Sequence, residues 1–309
     1  MTQRTSSCLI KSVLVICALA LMSVAALAQE SPALSDMKPG SVLFFNRYTS
    51  NPGNPQQNDT QINITNTHQR DFASIHLFLV DGATCSVADS FINLTPNQTA
   101  SFLVSDFDPG VTGYMVAVAV DGGPTKFNYL IGDEYIRESD GRQANLAAVA
   151  IAKHSYGSGE DEDGVATLHF DGKEYDQLPN VVALSSFNSQ VTDNTEVYIY
   201  SPAANLATGA ASGTTTVFTL VYDDVENVFS TTIRFECYGT IRLSSLRVLG
   251  GGLNRIVPAG RTGWIRFNGS GKPLLGASIQ RGPVFMGGHN LHALTLLSNY
   301  SISIPSFGF

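Results

Sequence analysis

The stretch that decides the fold is Thr60–Val80, TQINITNTHQRDFASIHLFLV, because the chain carries a second version of it at Thr216–Tyr238, TVFTLVYDDVENVFSTTIRFECY. In each version a polar, turn-like break separates two runs in which apolar and polar residues alternate. Such alternation is typical of β-strands with one buried face and one wet face. We therefore predict that the two stretches form the central strands of two related β-sandwiches.

Shorter segments indicate the same doubling, because they recur in the same order with similar spacing. The predicted matches are Val42–Phe45 with Val197–Tyr200, Pro96 with Pro258, Tyr114–Val118 with Leu274–Ile279, and Asn145–Ala148 with Asn290–Ala293. The turns are rich in Gly, Pro and Asn, and helical periodicity is almost absent. This pattern predicts an all-β fold of two tandem immunoglobulin-like β-sandwich domains.

The division of the chain follows from its composition. Arg4 and Lys11, an apolar core over Ser12–Val24 and a small-x-small site at Ala26–Ala28 form the pattern of a secretory signal peptide. The predicted divisions are a signal peptide over 1–28, a leader over 29–40, a first β-sandwich over 41–152, an acidic linker and hairpin over 153–178, and a second β-sandwich over 179–309. We expect the hairpin to close onto the second sandwich.

The charge balance excludes two classes of partner. The chain has 18 Lys and Arg against 26 Asp and Glu, a net charge of −8, and loss of the two basic residues of the signal peptide makes this −10. Nucleic acid and anionic lipid both favour a basic patch, so neither is expected as a partner. No transmembrane segment is predicted after signal cleavage. We therefore expect a secreted protein, extracellular or periplasmic.

Two cysteines, Cys85 and Cys237, remain after signal cleavage, one in each half of the chain. Neither sandwich can therefore hold an internal disulfide. Cys237 shares a strand face with Ile233 and Phe235 and is interpreted as a small buried hydrophobe, whereas Cys85 is expected in a loop after Asp81-Gly82. A disulfide between the halves is possible in an oxidising compartment. The two cysteines are predicted in dissimilar surroundings, a strand and a loop, and this favours unpaired thiols.

An acidic run in the linker is the first candidate for a metal site. Glu160, Asp161 and Asp163 lie on a Gly-rich segment, and calcium prefers carboxylate oxygens on a flexible loop. The EF-hand spacing is absent, so a solvated linker is the favoured alternative. His289 and His292 have the spacing of metal ligands on a helix, but on a strand they would point to opposite faces. No other cofactor is predicted.

Other residues carry competing interpretations. Trp264, the only tryptophan, is either an exposed binding aromatic or a core residue, and the core is favoured because large side chains are few. His76 alternates with apolar neighbours and is expected on a strand surface. A hydrolase would need His169, Asp171 and Asp223 to converge between the domains, and the chain has no G-x-S-x-G nucleophile motif.

Seven phrases of the sequence resemble a family of secreted bacterial all-β proteins of unknown function. They are SVLFFNRYTSN (41–51), TQINITNT (60–67), HLFLVDGATCSVADSF (76–91), LTPNQTASFL (94–103), FNYLIGDEYI (127–136), FDGKEYDQLP (170–179) and GHNLHALTL (288–296). The resemblance spans nearly the whole chain after the signal peptide. It implies secretion and an all-β fold, and it implies no catalytic residue.

The function that we expect is non-enzymatic binding or structural work at the cell envelope, through loops and strand edges. The partner is expected to be a glycan or a protein at the cell surface. Thr49–Asp59 and Ala203–Gly213 are predicted to be equivalent loops and to form the contact surface. The alternatives are a secreted hydrolase with its site between the domains and a surface adhesin module held together by calcium.

Overall fold

Alternating side chains produce the strands of this protein. In the computed structural model, which describes residues 38–54, 58–155, 164–189, 194–208, 213–248 and 251–306, every second side chain of strand β2 is buried. Strand β6 instead has an unbroken apolar run and is buried on both faces, as its sequence predicts. The described chain is therefore predominantly β, and the all-β prediction is confirmed.

The strands are short and follow one another closely. They are β1 Val42–Thr49, β2 Thr60–Asn66, β3 Ala73–Asp81, β4 Val87–Leu94, β5 Thr99–Leu103, β6 Thr112–Asp121, β7 Gly123–Pro124, β8 Leu130–Arg137, β9 Gln143–Ala147, β10 Val149–Ile151, β11 Val165–His169, β12 Pro179–Asn188, β13 Thr195–Tyr200, β14 Thr215–Asp223, β15 Val228–Phe235, β16 Tyr238–Arg242, β17 Arg247–Val248, β18 Gly251–Gly252, β19 Thr262–Asn268, β20 Leu275–Arg281, β21 Met286–Asn290, β22 His292–Leu296 and β23 Ser301–Pro305. The helices of the described chain are one α-helical turn over Leu253–Ile256 and short 3₁₀ turns such as Val104–Asp106 and Leu243–Ser245. No described helix has the length and hydropathy of a membrane span.

Four antiparallel sheets hold most of the strands. Sheet A has the order β10-β1-β6-β3-β4, with β7 added beside β6, and sheet B has the order β5-β2-β8-β9. Sheet C has the order β15-β14-β19-β12-β22, and sheet D has the order β16-β13-β20-β21. Sheets A and B form the first half of the molecule, and sheets C and D form the second half.

The two halves repeat one strand order. When the small strands β7, β17 and β18 are left aside, each half has nine strands, numbered here by their position in the half. Sheets A and C both have the order 9-1-6-3-4, and sheets B and D both have the order 5-2-7-8. Apart from β7, each strand of β1–β10 therefore has an equivalent in β12–β22.

The match predicted between the two long stretches is wrong by one strand. Strands β2 and β3 lie in different sheets, whereas β14 and β15 form a hairpin within sheet C. By strand order, β2 is equivalent to β13, and β3 is equivalent to β14. The matches of Val42–Phe45 with Val197–Tyr200 and of Tyr114–Val118 with Leu274–Ile279 fail in the same way. Period-2 alternation caused the error, because it is the same in neighbouring strands.

Local details also recur at the equivalent positions. Register shifts interrupt β1 between Phe45 and Tyr48 and β12 between Leu184 and Phe187, and a glycine lies opposite each of these β-bulges. A Cβ on Gly113 or Gly263 would meet a carbonyl oxygen of the neighbouring strand at 1.8 or 2.5 Å. Each glycine therefore allows close approach to the strand on its other side, β3 for Gly113 and β14 for Gly263, opposite the bulged strand.

The next loop repeats as well. The amide of Ser50 donates to Val111 at 2.9 Å, and the amide of Ser189 donates to Arg261 at 3.0 Å. One position before each acceptor is a left-handed glycine, Gly110 with a φ of 85° or Gly260 with a φ of 84°. Repetition at this level indicates one folding plan used twice.

Each half has its own apolar core. Side chains of β1, β3 and β6 meet those of β2 and β8 between sheets A and B. Side chains of β12, β14 and β19 meet those of β13 between sheets C and D. The described residues all belong to one compact unit, 34–309. A smaller apolar cluster, which joins Ile136 and Leu146 to Tyr198 and Ile279, packs sheet B against sheet D.

The outer face of sheet A is covered by a third layer. Strand β11 pairs with β23, and this ribbon packs together with Phe170, Tyr175 and Leu178 on side chains of β1, β3 and β6. We call the ribbon and these three residues the cover. The segment after residue 164 was expected to close onto the second sandwich. Its strand β11 pairs with β23, from the range predicted for that sandwich, and the resulting ribbon packs on the first half. The partner of β11, at the C-terminal end of the described chain, was hidden by sequence distance.

The bulge in β1 makes several polar contacts, both within the first half and with the second half. The amide of Arg47 donates to both carboxyl oxygens of Glu134 at 3.2 and 3.1 Å. The Arg47 guanidinium lies 4.7 Å from the ring centroid of Tyr198, and the Asn46 amide donates to Asn290 at 2.7 Å. Burial raises the pKa of Glu134 to about 8, against the lowering effect of the bulge amides and of Arg47. This carboxyl is therefore mainly protonated at neutral pH.

A disulfide also joins the halves. Cys85, in the turn between β3 and β4, is bonded to Cys237, which precedes β16, with a Cα–Cα distance of 5.5 Å. The preference for unpaired thiols is therefore wrong. Sequence separation concealed the pairing, because the packing of the halves brings together two positions with a sequence separation of 152.

Candidate functional site

The outer face of sheet C has no second layer of described strands. The face consists of every second side chain of β14, β15 and β19, and none of these side chains is buried. We call it the open face, and its residues are Thr216, Phe218, Leu220, Tyr222, Val228, Ser230, Thr232, Arg234, Trp264, Arg266 and Asn268. The inward side chains of the same strands, such as Val217, Val221 and Ile265, are buried in the core.

An aromatic pair marks one end of the open face. The rings of Trp264 and Tyr222 lie on neighbouring strands, stacked with a centroid distance of 4.0 Å and an interplanar angle of 2°. Both side chains are half-buried, so Trp264 is not a core residue, and the favoured interpretation of it is wrong. Phe218 is 43 % exposed, and Val228 is 52 % exposed. Side chains of this size on a sheet surface are typical of a contact area.

Two arginines give the open face a positive charge. Arg234 and Arg266 have no side-chain hydrogen bond or ion pair within the described residues. Some other arginines are matched by carboxylates: Arg281 contacts Glu138 at 2.6 Å, and Arg261 contacts Asp224 at 2.7 Å at the rim of this face. Arg70, Arg247 and Arg255, like the two arginines of the open face, have no ion pair within the described residues. An acidic protein thus presents two arginines without acidic partners among its described residues.

The register of the strands sets the layout of these groups. Arg266 lies opposite Leu220, and Phe218 lies opposite Thr232 in the next row. Arg234 lies opposite Thr216, one further row along. Arg266, Phe218 and Arg234 therefore form a diagonal across three strands. Sheet geometry gives a Cα separation of roughly 17 Å between the two arginines, with the phenyl ring between them.

Polar side chains fill the spaces around the diagonal. Thr216, Thr232 and Ser230 present hydroxyls, and Asn268 presents an amide. These groups both donate and accept hydrogen bonds. The face therefore offers apolar contact, positive charge and reversible hydrogen bonding on a rigid paired sheet.

A recess in the first half is the second feature of interest. A groove of about 520 Å³ is lined by Ser74, Phe91, Asn93, Val120, Asp121 and Gly122, where the cover does not reach the end of sheet A. Next to it, His76 is 1 % exposed, contacts Asp89 at 2.9 Å and stacks on Phe91 at 3.9 Å. The expectation of a strand-surface histidine is therefore wrong. Burial lowers the pKa of His76, and the Asp89 carboxylate opposes that shift.

The residues predicted for a hydrolase each have local partners. His169 contacts the Ser301 hydroxyl at 3.0 Å. Asp171 accepts backbone amides at 2.8 and 2.9 Å, and Asp223 accepts amides of Val225 and Asn227. The turn amides and the Asn227 side chain lower the pKa of Asp223. The two aspartates therefore form turns, and no hydrogen bond links His169, Asp171 and Asp223.

The predicted metal ligands divide into two groups. Glu160, Asp161 and Asp163, the calcium candidates, lie outside the described residues. His289 and His292 are exposed in β21 and β22, which belong to different sheets. In the ranges that the structure describes, no three His, Cys, Asp or Glu side chains are grouped so as to hold a metal ion.

The two predicted contact loops are not equivalent. Thr49–Asp59 joins the first and second strands of its half, whereas Ala203–Gly213 joins the second and third. Residues 55–57 and 209–212 of these loops lie outside the described ranges. Sequence reasoning placed contact in the loops and missed Tyr222, Arg234 and Arg266. The available signal was the alternation Trp264-Ile265-Arg266-Phe267, which puts Trp264 and Arg266 on the face opposite the core.

Comparison of this chain with models of protein families, with curated proteins and with solved structures gives no match.

Proposed function

We propose that this chain is an exported, non-enzymatic binding protein that contacts its partner through the open face. The observation that carries the proposal is an uncovered sheet surface with Trp264, Tyr222 and two arginines that have no acidic partner among the described residues. Trp, Tyr and Arg are the residues most enriched at the energetic centres of protein contacts. Their side chains lie on a sheet whose strands are paired, so binding costs little conformational entropy of the backbone.

The equivalent face of the first half supports this assignment. Its side chains pack beneath the cover, and the corresponding residues of β6 are Tyr114, Val116 and Val118. The second half has Trp264, Arg266 and Asn268 at these positions. A face that served only for core packing would have no use for arginine and asparagine there.

Export to an oxidising compartment is part of the proposal. The N-terminal residues have the pattern of a signal peptide, and the Cys85–Cys237 disulfide is buried between the halves. Stable disulfides are rare where thiols are kept reduced. These features support a periplasmic or extracellular protein, as the resemblance to secreted bacterial proteins also implies.

We also propose that the halves are two tandem immunoglobulin-like sandwiches, over 41–152 and 179–309, joined by residues 153–178, with β23 of the second range contributing to the cover of the first half. Strand neighbours support this: β2 pairs with β5, and β3 pairs with β4 and β6, as strands B, C, C′, E and F do in immunoglobulin domains. The terminal strands differ. Strand β1 lies beside β6, where the last immunoglobulin strand would lie, and β8 lies beside β2, where the first would lie.

Binding assays with the purified chain from residue 29 test the proposal. The chain is applied to an array of envelope glycans and to immobilised envelope proteins, next to Trp264→Ala and Phe218→Ala. Val284→Ala is the matched control, because Val284 is 89 % exposed on another surface. We expect both open-face variants to lose about tenfold or more in affinity and the control to change by less than about twofold. Binding that all variants retain, or no binding to either panel, would reject the proposal.

A further inference from the structure

The arrangement of groups on the open face identifies a class of partner. We infer that the open face binds an extended acidic polysaccharide, a chain of sugars that bears carboxylates. This inference rests on the proposed function, because it names the partner of the same surface. It is carried by charge, by the diagonal layout and by the way in which the main chain of sheet C is already paired.

Charge complementarity is the first step. The chain is acidic, with a net charge of −8, yet the described part of the open face has arginines and no carboxylate. Of the acidic residues at its rim, Asp224 is neutralised by Arg261 at 2.7 Å, whereas Glu226 in the β14–β15 turn and Glu236 after the end of β15 are exposed. Arginine guanidinium groups bind carboxylates through two parallel hydrogen bonds. The open face therefore favours an anionic partner.

The diagonal is the second step. Arg266 and Arg234 are separated by roughly 17 Å across three strands, with Phe218 between them. A linear polyanion that follows the diagonal meets an arginine, an exposed phenyl ring and a second arginine in turn. The C–H face of a sugar ring packs against such a ring, while its hydroxyls exchange hydrogen bonds with Thr232, Ser230 and Asn268.

The third step separates a glycan from an acidic peptide. An extended peptide normally binds at a sheet edge, where free backbone groups pair with its own. On the open face the backbone groups of β14 and β19 are paired with neighbouring strands on both sides, and only the outer side of β15, the edge strand, has no strand partner in this sheet. A peptide paired at that edge would run along β15 and not along the diagonal. The main-chain amides of a peptide that crossed this face could form hydrogen bonds only with side chains. A polysaccharide has no such amides to satisfy, so the observations favour it.

Polygalacturonate oligomers serve as the probe in calorimetry with the chain from residue 29. We expect measurable binding that weakens as salt rises, because the arginine–carboxylate contacts are screened. The double variant Arg234→Gln/Arg266→Gln should lose about tenfold or more. Arg70→Gln/Arg255→Gln is the matched control, since it removes two exposed arginines elsewhere and should change affinity by less than about twofold.

Two further ligands keep the inference separate from the proposed function. Fully methyl-esterified polygalacturonate has the same sugars without charge and should bind at least about tenfold more weakly. If poly-glutamate binds and polygalacturonate does not, the polysaccharide inference is overturned while a binding face remains. If Trp264→Ala and the arginine variant both bind polygalacturonate like the wild type, the open face itself is rejected. Self-association that only the arginine variant abolishes, without polysaccharide binding, would replace the glycan by a second copy of the chain.

Discussion

Sheets A and C have the same strand order, yet the outer face of sheet A is buried and the outer face of sheet C is exposed. Val116 and Phe78 of sheet A lie buried in the cluster that the cover completes, and Tyr114 lies buried against Tyr200 of the second half at 4.0 Å. Their equivalents, Trp264, Arg266 and Leu220, lie on the open face. The backbone plan therefore does not decide whether a sheet face becomes a core or a contact surface. A few outward residues, and the availability of a covering ribbon, decide it.

The two bulges differ in the same way, because one is buried and the other is exposed. Asn46 and Arg47 of the first bulge are buried against the second half, and Glu134 accepts the bulge amide. Their equivalents Ser185 and Ser186 are exposed. One repeated irregularity thus makes a polar joint in one half and a solvated surface in the other. Bulges are suited to this, because they turn side chains away from the regular alternation.

Exchanging equivalent residues between the outer faces should have the largest effect. Val116→Arg places an unpaired charge beneath the cover, and we expect it to lower the free energy of unfolding by more than about 4 kcal/mol. The converse change, Arg266→Val, should shift that free energy by less than about 1 kcal/mol, because Arg266 is only half-buried. Urea unfolding followed by tryptophan fluorescence measures both changes.

Val116→Ile is the control for Val116→Arg, because it alters volume without charge. If Val116→Arg and Arg266→Val lowered the free energy of unfolding equally, the two outer faces would be equally covered and the contrast between them would be wrong. If Val116→Ile also lowered the free energy of unfolding strongly, the effect of Val116→Arg would be due to overpacking.

The link between the halves gives the next largest effect. We expect Cys85→Ser/Cys237→Ser to lower the free energy of unfolding by about 2–5 kcal/mol, because the disulfide closes a loop of 152 residues in the unfolded chain. Urea midpoints of the oxidised protein and the variant measure the loss. Reductant should destabilise the wild type and leave the variant unchanged. A wild type insensitive to reductant after unfolding and refolding would show that the halves hold together without the bridge.

The comparison also shows what sequence can predict. Alternation and turn residues were sufficient for the all-β fold and for the double-sided burial of β6, because both depend on local pattern. They were insufficient for the pairing of β11 with β23 and of Cys85 with Cys237, because these contacts join distant segments. Trp264 was misassigned for a related reason. Its alternation with Ile265 predicts which face it is on, but not whether another layer covers that face.

Glu134 offers a pH test of the buried bulge. Burial raises its pKa from an ordinary 4.5 to about 8, so the folded state holds a proton that the unfolded state releases. Its contribution to stability is present below pH 4.5 and is lost as the pH rises through about 8, with a slope of at most about 1.4 kcal/mol per pH unit. Glu134→Gln should remove this slope, as measured by urea unfolding from pH 5 to pH 9.

Glu236→Gln is the matched control, because this carboxyl is exposed in the second half. The difference between Glu134→Gln and the wild type is the quantity of interest, since other carboxyl groups contribute equally to both. An unchanged slope in Glu134→Gln would show that this carboxyl is ionised in the bulge.

The smallest expected effect concerns His76, whose equivalent on the open face is Phe218. Burial lowers the pKa of His76, so the unfolded state takes up a proton more readily than the folded state. Stability should therefore fall as the pH drops below the ordinary histidine pKa of about 6.5, with a slope of at most about 1.4 kcal/mol per pH unit. His76→Phe, which places the second-half residue in the first half, should abolish this loss in urea unfolding. Asp89→Asn should enlarge it, because the Asp89 carboxylate supports the charged ring at 2.9 Å. If Asp89→Asn instead left the acid loss unchanged, the His76–Asp89 contact would have no electrostatic role, and the two faces would differ only in what covers them.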